Sequence, residues 1–139
     1  MTDDSKRAID DLASAFFSVF DNRENKTPDL SCLYRMFTER AIITKRDGDH
    51  LDIMSLDEFV APRQDLLTSG TLVDFHEWEV EARTFVDGGI ATRLCSYLKE
   101  GVMSGEPFSG GGMKSIQFVR IAEGWRIGSV LWEDAEPET

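Results

Sequence analysis

The sequence predicts an α+β fold in which N-terminal helices pack on one face of a strongly curved antiparallel or mixed sheet. Ile9, Leu12, Ala13, Phe16, Phe17 and Phe20 recur at helical spacing near the start of the chain. Towards its end, GGIATRLCSYLKEG, GMKSIQFVRI and EGWRIGSVLWED read as three long antiparallel strands with apolar residues on both faces. Such strands need cover on both sides, from helices on one and from a partner subunit or nothing on the other.

The elements follow in order. An amphipathic helix with a heavy aromatic stripe is expected from about Ser5 to Asp21, and Asp21 to Pro28 is a polar break. Asp29 looks like the N-cap of a short second helix carrying Leu30, Leu33, Met36 and Phe37. The β-branched run Ile42-Ile43-Thr44, the turn signal Asp47-Gly48 and a returning strand from Leu51 to Met54 predict a small hairpin. Ser55 and Glu58 form a capping box that opens a third helix through Phe59, Arg63, Leu66 and Leu67, stopping at Gly70, with Pro62 predicting a kink or a late start. Leu72 to Asp87 alternates, and the set His76, Trp78, Val80 and Ala82 is expected to face inward. Asp87-Gly88-Gly89 turns into the next strand, and Glu100 to Gly112 reads as a glycine-rich connection.

Length and composition narrow the function. One domain spanning 1–139, with an ordered core over about 5–134, is expected from 139 residues. A net charge of -11 argues against a nucleic-acid binder or an anionic membrane surface, both of which need a basic face. The acidic, polar start lacks the pattern of a secretory signal, and no stretch approaches a membrane span. Cys32 and Cys95 are too few and too far apart for a disulfide framework, so a cytoplasmic location is expected.

The ordered set Phe37-Thr38-Glu39-Arg40-Ala41, Ser55-Leu56-Asp57-Glu58-Phe59, Phe75-His76-Glu77, Ala91 to Tyr97, Ser115-Ile116-Gln117 and Gly124-Trp125-Arg126-Ile127 resembles the nuclear transport factor 2-like superfamily. Its cone-shaped, cystatin-like α+β fold is shared by SnoaL-like polyketide cyclases, ketosteroid isomerase and limonene epoxide hydrolase. The chain is most similar to the uncharacterised SnoaL-like members. The resemblance implies a pocket between the concave sheet face and the helices, and a homodimer through the convex face. It implies no single reaction. At the positions of the isomerase's tyrosine, general base and protonated aspartate stand Phe16, Lys45 and Gln117, which cannot run that chemistry. The arginine and aspartate pair of the epoxide hydrolase is also missing, since Arg93 is followed two residues later by Cys95.

The expected pocket lining is Phe16, Trp78, Arg93, Cys95, Tyr97, Ser115 and Gln117, aromatic and apolar with a few polar groups, which suits a small organic ligand. Arg93 either meets the carboxylate or phosphate of that ligand or pairs with a carboxylate of a neighbouring element. His76 is a candidate general acid or base and Tyr97 a candidate donor, each with a structural reading beside it. The alternatives to a binding protein are a cofactor-independent lyase, isomerase, dehydratase or cyclase with His76 as its acid or base, and a non-catalytic dimerisation or assembly module that works through the convex sheet face. Cys95 reads as a packed core thiol, and the acidic turn around His50, Asp47, Asp49 and Asp52 as solvated charge, so no metal or cofactor is expected.

The last strand has two registers. A three-residue turn Ala122-Glu123-Gly124 pairs Gln117 with Ser129, with Ile127, Ser129 and Leu131 on the concave face. It leaves Ile116, Phe118, Val130 and Trp132 as an apolar convex patch, the expected dimer interface. A four-residue turn flips the strand and puts Trp132 in the pocket.

Overall fold

A computed structural model describes residues 2–135. Helix α1 (Thr2–Ser18) is followed by two short 3-10 turns (Arg23–Asn25 and Leu30–Cys32) and by α2 (Leu33–Met36). Strands β1 (Phe37–Asp47) and β2 (His50–Met54) form the small hairpin, and α3 (Leu56–Thr68) follows it. The long strands are β3 (Leu72–Asp87), β4 (Ile90–Met103), β5 (Glu106–Ile121) and β6 (Gly124–Asp134). All six strands form one mixed sheet in the order β2-β1-β6-β5-β4-β3, in which β1 and β6 run parallel and every other pair is antiparallel. The three α-helices on this sheet make the predicted α+β architecture.

Local chemistry explains the elements. Asp29 accepts from the Ser31 amide and caps the turn that leads into α2. The Ser55 and Glu58 capping box is complete, so α3 starts at Leu56 and runs on past Pro62, rather than starting late. Ser104 and Gly105, both at positive φ, close the tight turn between β4 and β5. That turn replaces the expected glycine-rich connection, and Gly110, Gly111 and Gly112 lie inside β5.

The helices bury an aromatic relay against the sheet. Phe16 packs edge-on to Phe20 and Phe37, Phe20 to Phe59, and Phe59 to Trp132, with ring centroids 5.4–6.0 Å apart. Each such pair adds about 1 kcal/mol beyond the area it buries. Asn22, within the predicted polar break, is buried: its amide donates to the carbonyls of Leu67 and Leu72 and accepts from the Phe75 amide. It ties the end of α1 to α3 and β3, a use of a buried side chain that satisfies all of its neighbours.

Three of the expected strand faces are corrected. In β3, bulges at Asp74 and Val80 interrupt the pairing with β4. Between them, Phe75, Glu77 and Glu79 face the helices, whereas His76 and Trp78 lie on the outer face. In β5 and β6, Gln117 does pair with Ser129, but both lie on the outer face. The turn contains only Ala122 and Glu123, and a bulge at Gly128 restores the register while carrying Ile127, Val130 and Trp132 all to the helix side. Ile116, Phe118, Val130 and Trp132 are therefore buried within the protomer and are not the exposed apolar patch expected on the outer face.

Candidate functional site

Between α1, α3 and the sheet lies a cavity of about 260 Å³. Its walls are Phe16 from α1, Phe20 from the turn that follows it, Phe59, Arg63, Leu66 and Leu67 from α3, and Phe75, Phe108, Val130 and Trp132 from the sheet. Its polar groups are Lys45, Arg63, Lys99, Lys114, Glu77 and Asp134, four cations against two carboxylates. Sheet pairing places them: Lys45 and Lys114 flank Trp132 from either side, and Glu77 lies opposite Lys99.

The cations differ in how they are held. Lys114, 7% exposed, reaches Glu77 at 2.9 Å and sits 4.2 Å from the Tyr97 ring centroid and 5.1 Å from that of Trp132. Lys99 and Lys45 both approach Asp134 Oδ2, at 3.0 and 3.5 Å. Tyr97 donates its hydroxyl to Asp134 Oδ1 at 2.5 Å. Burial pushes the Asp134 carboxyl up, but the bonds from Tyr97 and Lys99 outweigh it and hold the group below its ordinary value. Burial, reinforced by the Asp134 carboxylate, raises Tyr97 well above the usual phenol value and keeps its hydroxyl a donor.

Arg63 is held by aromatic rings instead of a carboxylate. Its guanidinium lies 4.1 Å from the Phe59 ring centroid and 5.6 Å from that of Trp132, and donates to the Phe59 carbonyl. Among the described residues no carboxylate lies within 4 Å of it. Burial lowers its pKa, and the more distant Asp52 and Glu77 oppose that only in part. A half-buried guanidinium has five donors, and this one leaves most of them for a ligand.

The structure places the sequence-predicted residues differently. Of the expected lining only Phe16 borders the cavity. Tyr97 lies beneath it, behind Lys114 and Asp134. Arg93 makes the structural pairing, donating to both Glu79 oxygens at 2.5 and 2.8 Å and to Asp10 at 2.7 Å. Cys95 is buried below it, and burial together with the Glu79 carboxylate pushes its thiol up to about 12, which makes it inert. His76 is stacked on Trp78 and bonded to Glu100 on the outer face, so it supplies no acid or base to the cavity. Ser115 and Gln117 also face outward, Gln117 accepting from the Ser129 hydroxyl. Arg63, Lys99, Lys114, Glu77 and Asp134 were missed. Tyr97 and Lys99 sit two apart on one strand, the one spacing that marks a shared face. Among the described residues no group of three or more His, Cys, Asp or Glu side chains is placed to hold a metal ion.

The fold recurs in solved structures. A protein of Kribbella flavida is similar over 100% of this chain and 96% of its own, at 18% identity and TM-score 0.79. A nuclear transport factor 2-like superfamily protein of Salmonella enterica matches over 100% and 95%, at 15% identity and TM-score 0.77. The fold is the nuclear transport factor 2-like, cystatin-like one. A hexachlorocyclohexane dehydrochlorinase of Novosphingobium barchaimii shares it at 17% identity and TM-score 0.70, over 95% of this chain and 87% of its own. No protein-family model and no curated protein matches the sequence. No helix among the described residues is long and apolar enough to cross a membrane.

Proposed function

We propose that the protein binds a small organic anion with an apolar or aromatic body in this cavity, and that Arg63 is the anchor for its charge. The observation that carries the reading is the sign of the lining. A chain of net charge -11 places four cations and two carboxylates around one half-open, aromatic-walled cavity. The carboxylates are already matched by lysines, whereas Arg63 has the Phe59 carbonyl, the Met54 sulfur at 4.0 Å and two ring faces, and no carboxylate partner among the described residues. A guanidinium in that state binds a carboxylate through two parallel N–H bonds at little further desolvation. The aromatic walls then cover the rest of the ligand. The test is calorimetry with benzoate and benzamide as a matched pair. Benzoate binds and the neutral amide does not; equal binding of the two refutes the charge-based reading.

The protein acts as a homodimer through the outer sheet face. Leu94, Leu98, Met113 and Leu131 stand there 42–51% exposed, an apolar patch on adjoining strands β4, β5 and β6. Exposed apolar groups so grouped favour a protein partner over water. The two free cysteines fit the reducing cytoplasm.

A further inference from the structure

At one end of the cavity the donors converge on a carboxylate that belongs to the chain itself. Asp134, the last residue of β6, presents one oxygen to the Tyr97 hydroxyl and the other to Lys99 and Lys45. The two oxygens are addressed separately, which matches a planar carboxylate. Among the described residues two ammonium groups face this one carboxylate, and Lys45 is held only loosely at 3.5 Å. Asp134 and Lys45 also line a second depression, of about 470 Å³, beside the turn between β1 and β2. Asp134 thus stands between the inner cavity and an outer cleft, and its side chain is 31% exposed.

We propose that Tyr97, Lys99 and Lys45 form a carboxylate-binding seat that Asp134 fills in the free protein and that a ligand's carboxylate takes in its place. The inference rests on the reading of the cavity as an anion site, and deepens it: the ligand class becomes one with a second carboxylate, held at the Asp134 end of the cavity, besides the charge that Arg63 anchors. Exchange needs only rotation of the Asp134 side chain towards the outer cleft. One carboxylate replaces another on the same three donors, so the Tyr97 hydroxyl stays protonated and no charge is left bare. Asp134 acts as an internal competitor that sets how tightly the ligand binds.

Formate is the probe, compared with chloride at equal ionic strength. Asp134→Ala empties the seat, whereas Asp134→Asn keeps it filled while removing the same charge. Formate is expected to bind Asp134→Ala at least tenfold more tightly than wild type or Asp134→Asn, read as a rise in melting temperature that follows mass action. Adding Tyr97→Phe or Lys99→Met to Asp134→Ala removes most of that gain. An equal gain in Asp134→Asn shows a general charge effect and overturns the seat, as does no gain in either. Should Asp134→Ala fail to fold alone, recovery of its near-ultraviolet circular dichroism in formate but not chloride supports the seat, and no recovery overturns it. Arg63→Met in the Asp134→Ala background keeps the formate gain. If benzoate binding to wild type is unaffected by Arg63→Met while the formate gain persists, the Arg63 reading fails and the seat stands.

Discussion

Gly112 is where the smallest change has the largest structural effect. A Cβ built there lies 2.1 Å from the Glu133 carbonyl oxygen, 2.6 Å from the Tyr97 hydroxyl and 2.8 Å from the Asp134 Cα. Two of these three atoms are backbone of the neighbouring strand and cannot rotate away. Gly112→Ala must separate β5 from β6 or displace Tyr97 from Asp134. Overpacking of this kind costs about 3 kcal/mol, the upper end of the usual range, because the interior is already close-packed. For a chain of this length that is a fall in melting temperature of about 10 °C. Gly128→Ala is the control: its added Cβ meets nothing nearer than the Gln117 carbonyl oxygen at 3.8 Å, ordinary contact, and neither glycine has positive φ. Urea unfolding followed by tryptophan fluorescence reads both variants. A change of under about 0.5 kcal/mol in Gly112→Ala, the level of a neutral surface substitution, refutes the packing argument.

Three further outcomes are expected. Arg93→Met leaves Glu79 without its bidentate partner and lowers stability by about 3 kcal/mol in urea unfolding; benzoate affinity stays unchanged because Arg93 does not border the cavity. Asp134 is depressed in the folded state, so it adds stability above its unfolded value of about 3.9 and loses it as the pH falls through the lower folded value; Asp134→Asn is less stable than wild type at pH 7, and the difference shrinks as the pH falls below the unfolded value. Leu131→Glu puts a charge into the outer patch and yields monomers in light scattering where wild type is a dimer, whereas an unchanged mass contradicts that interface.

The order of elements was legible because caps and turns are local signals: Ser55 with Glu58, Asp47-Gly48 and Asp87-Gly88 each specify a boundary from two to four residues. On β4 the alternation of Ala91, Arg93, Cys95 and Tyr97 correctly marked the inner face. The faces of β3 and β5 were misread for a physical reason. Alternation assumes that charge faces water, but Glu77, Glu79 and Lys114 face inward, where each has a partner of opposite sign. Meanwhile Trp78, Leu94 and Leu98 face outward, so polarity is inverted along the strands that line the cavity. Bulges at Val80 and Gly128 shift the phase within a strand and leave no clear mark in the sequence. Arg63 reads as an ordinary exposed helix residue until α3 is docked and its guanidinium meets Phe59 and Trp132.

The affinity of Arg63→Met for benzoate tests the central claim most directly. Loss of charge-assisted bonds from one guanidinium is worth about 1.5–3 kcal/mol, so titration calorimetry should show binding at least tenfold weaker than wild type, with the melting temperature of the unliganded protein little changed. Binding as tight as that of wild type would contradict the assignment of the cavity as an anion site anchored by Arg63.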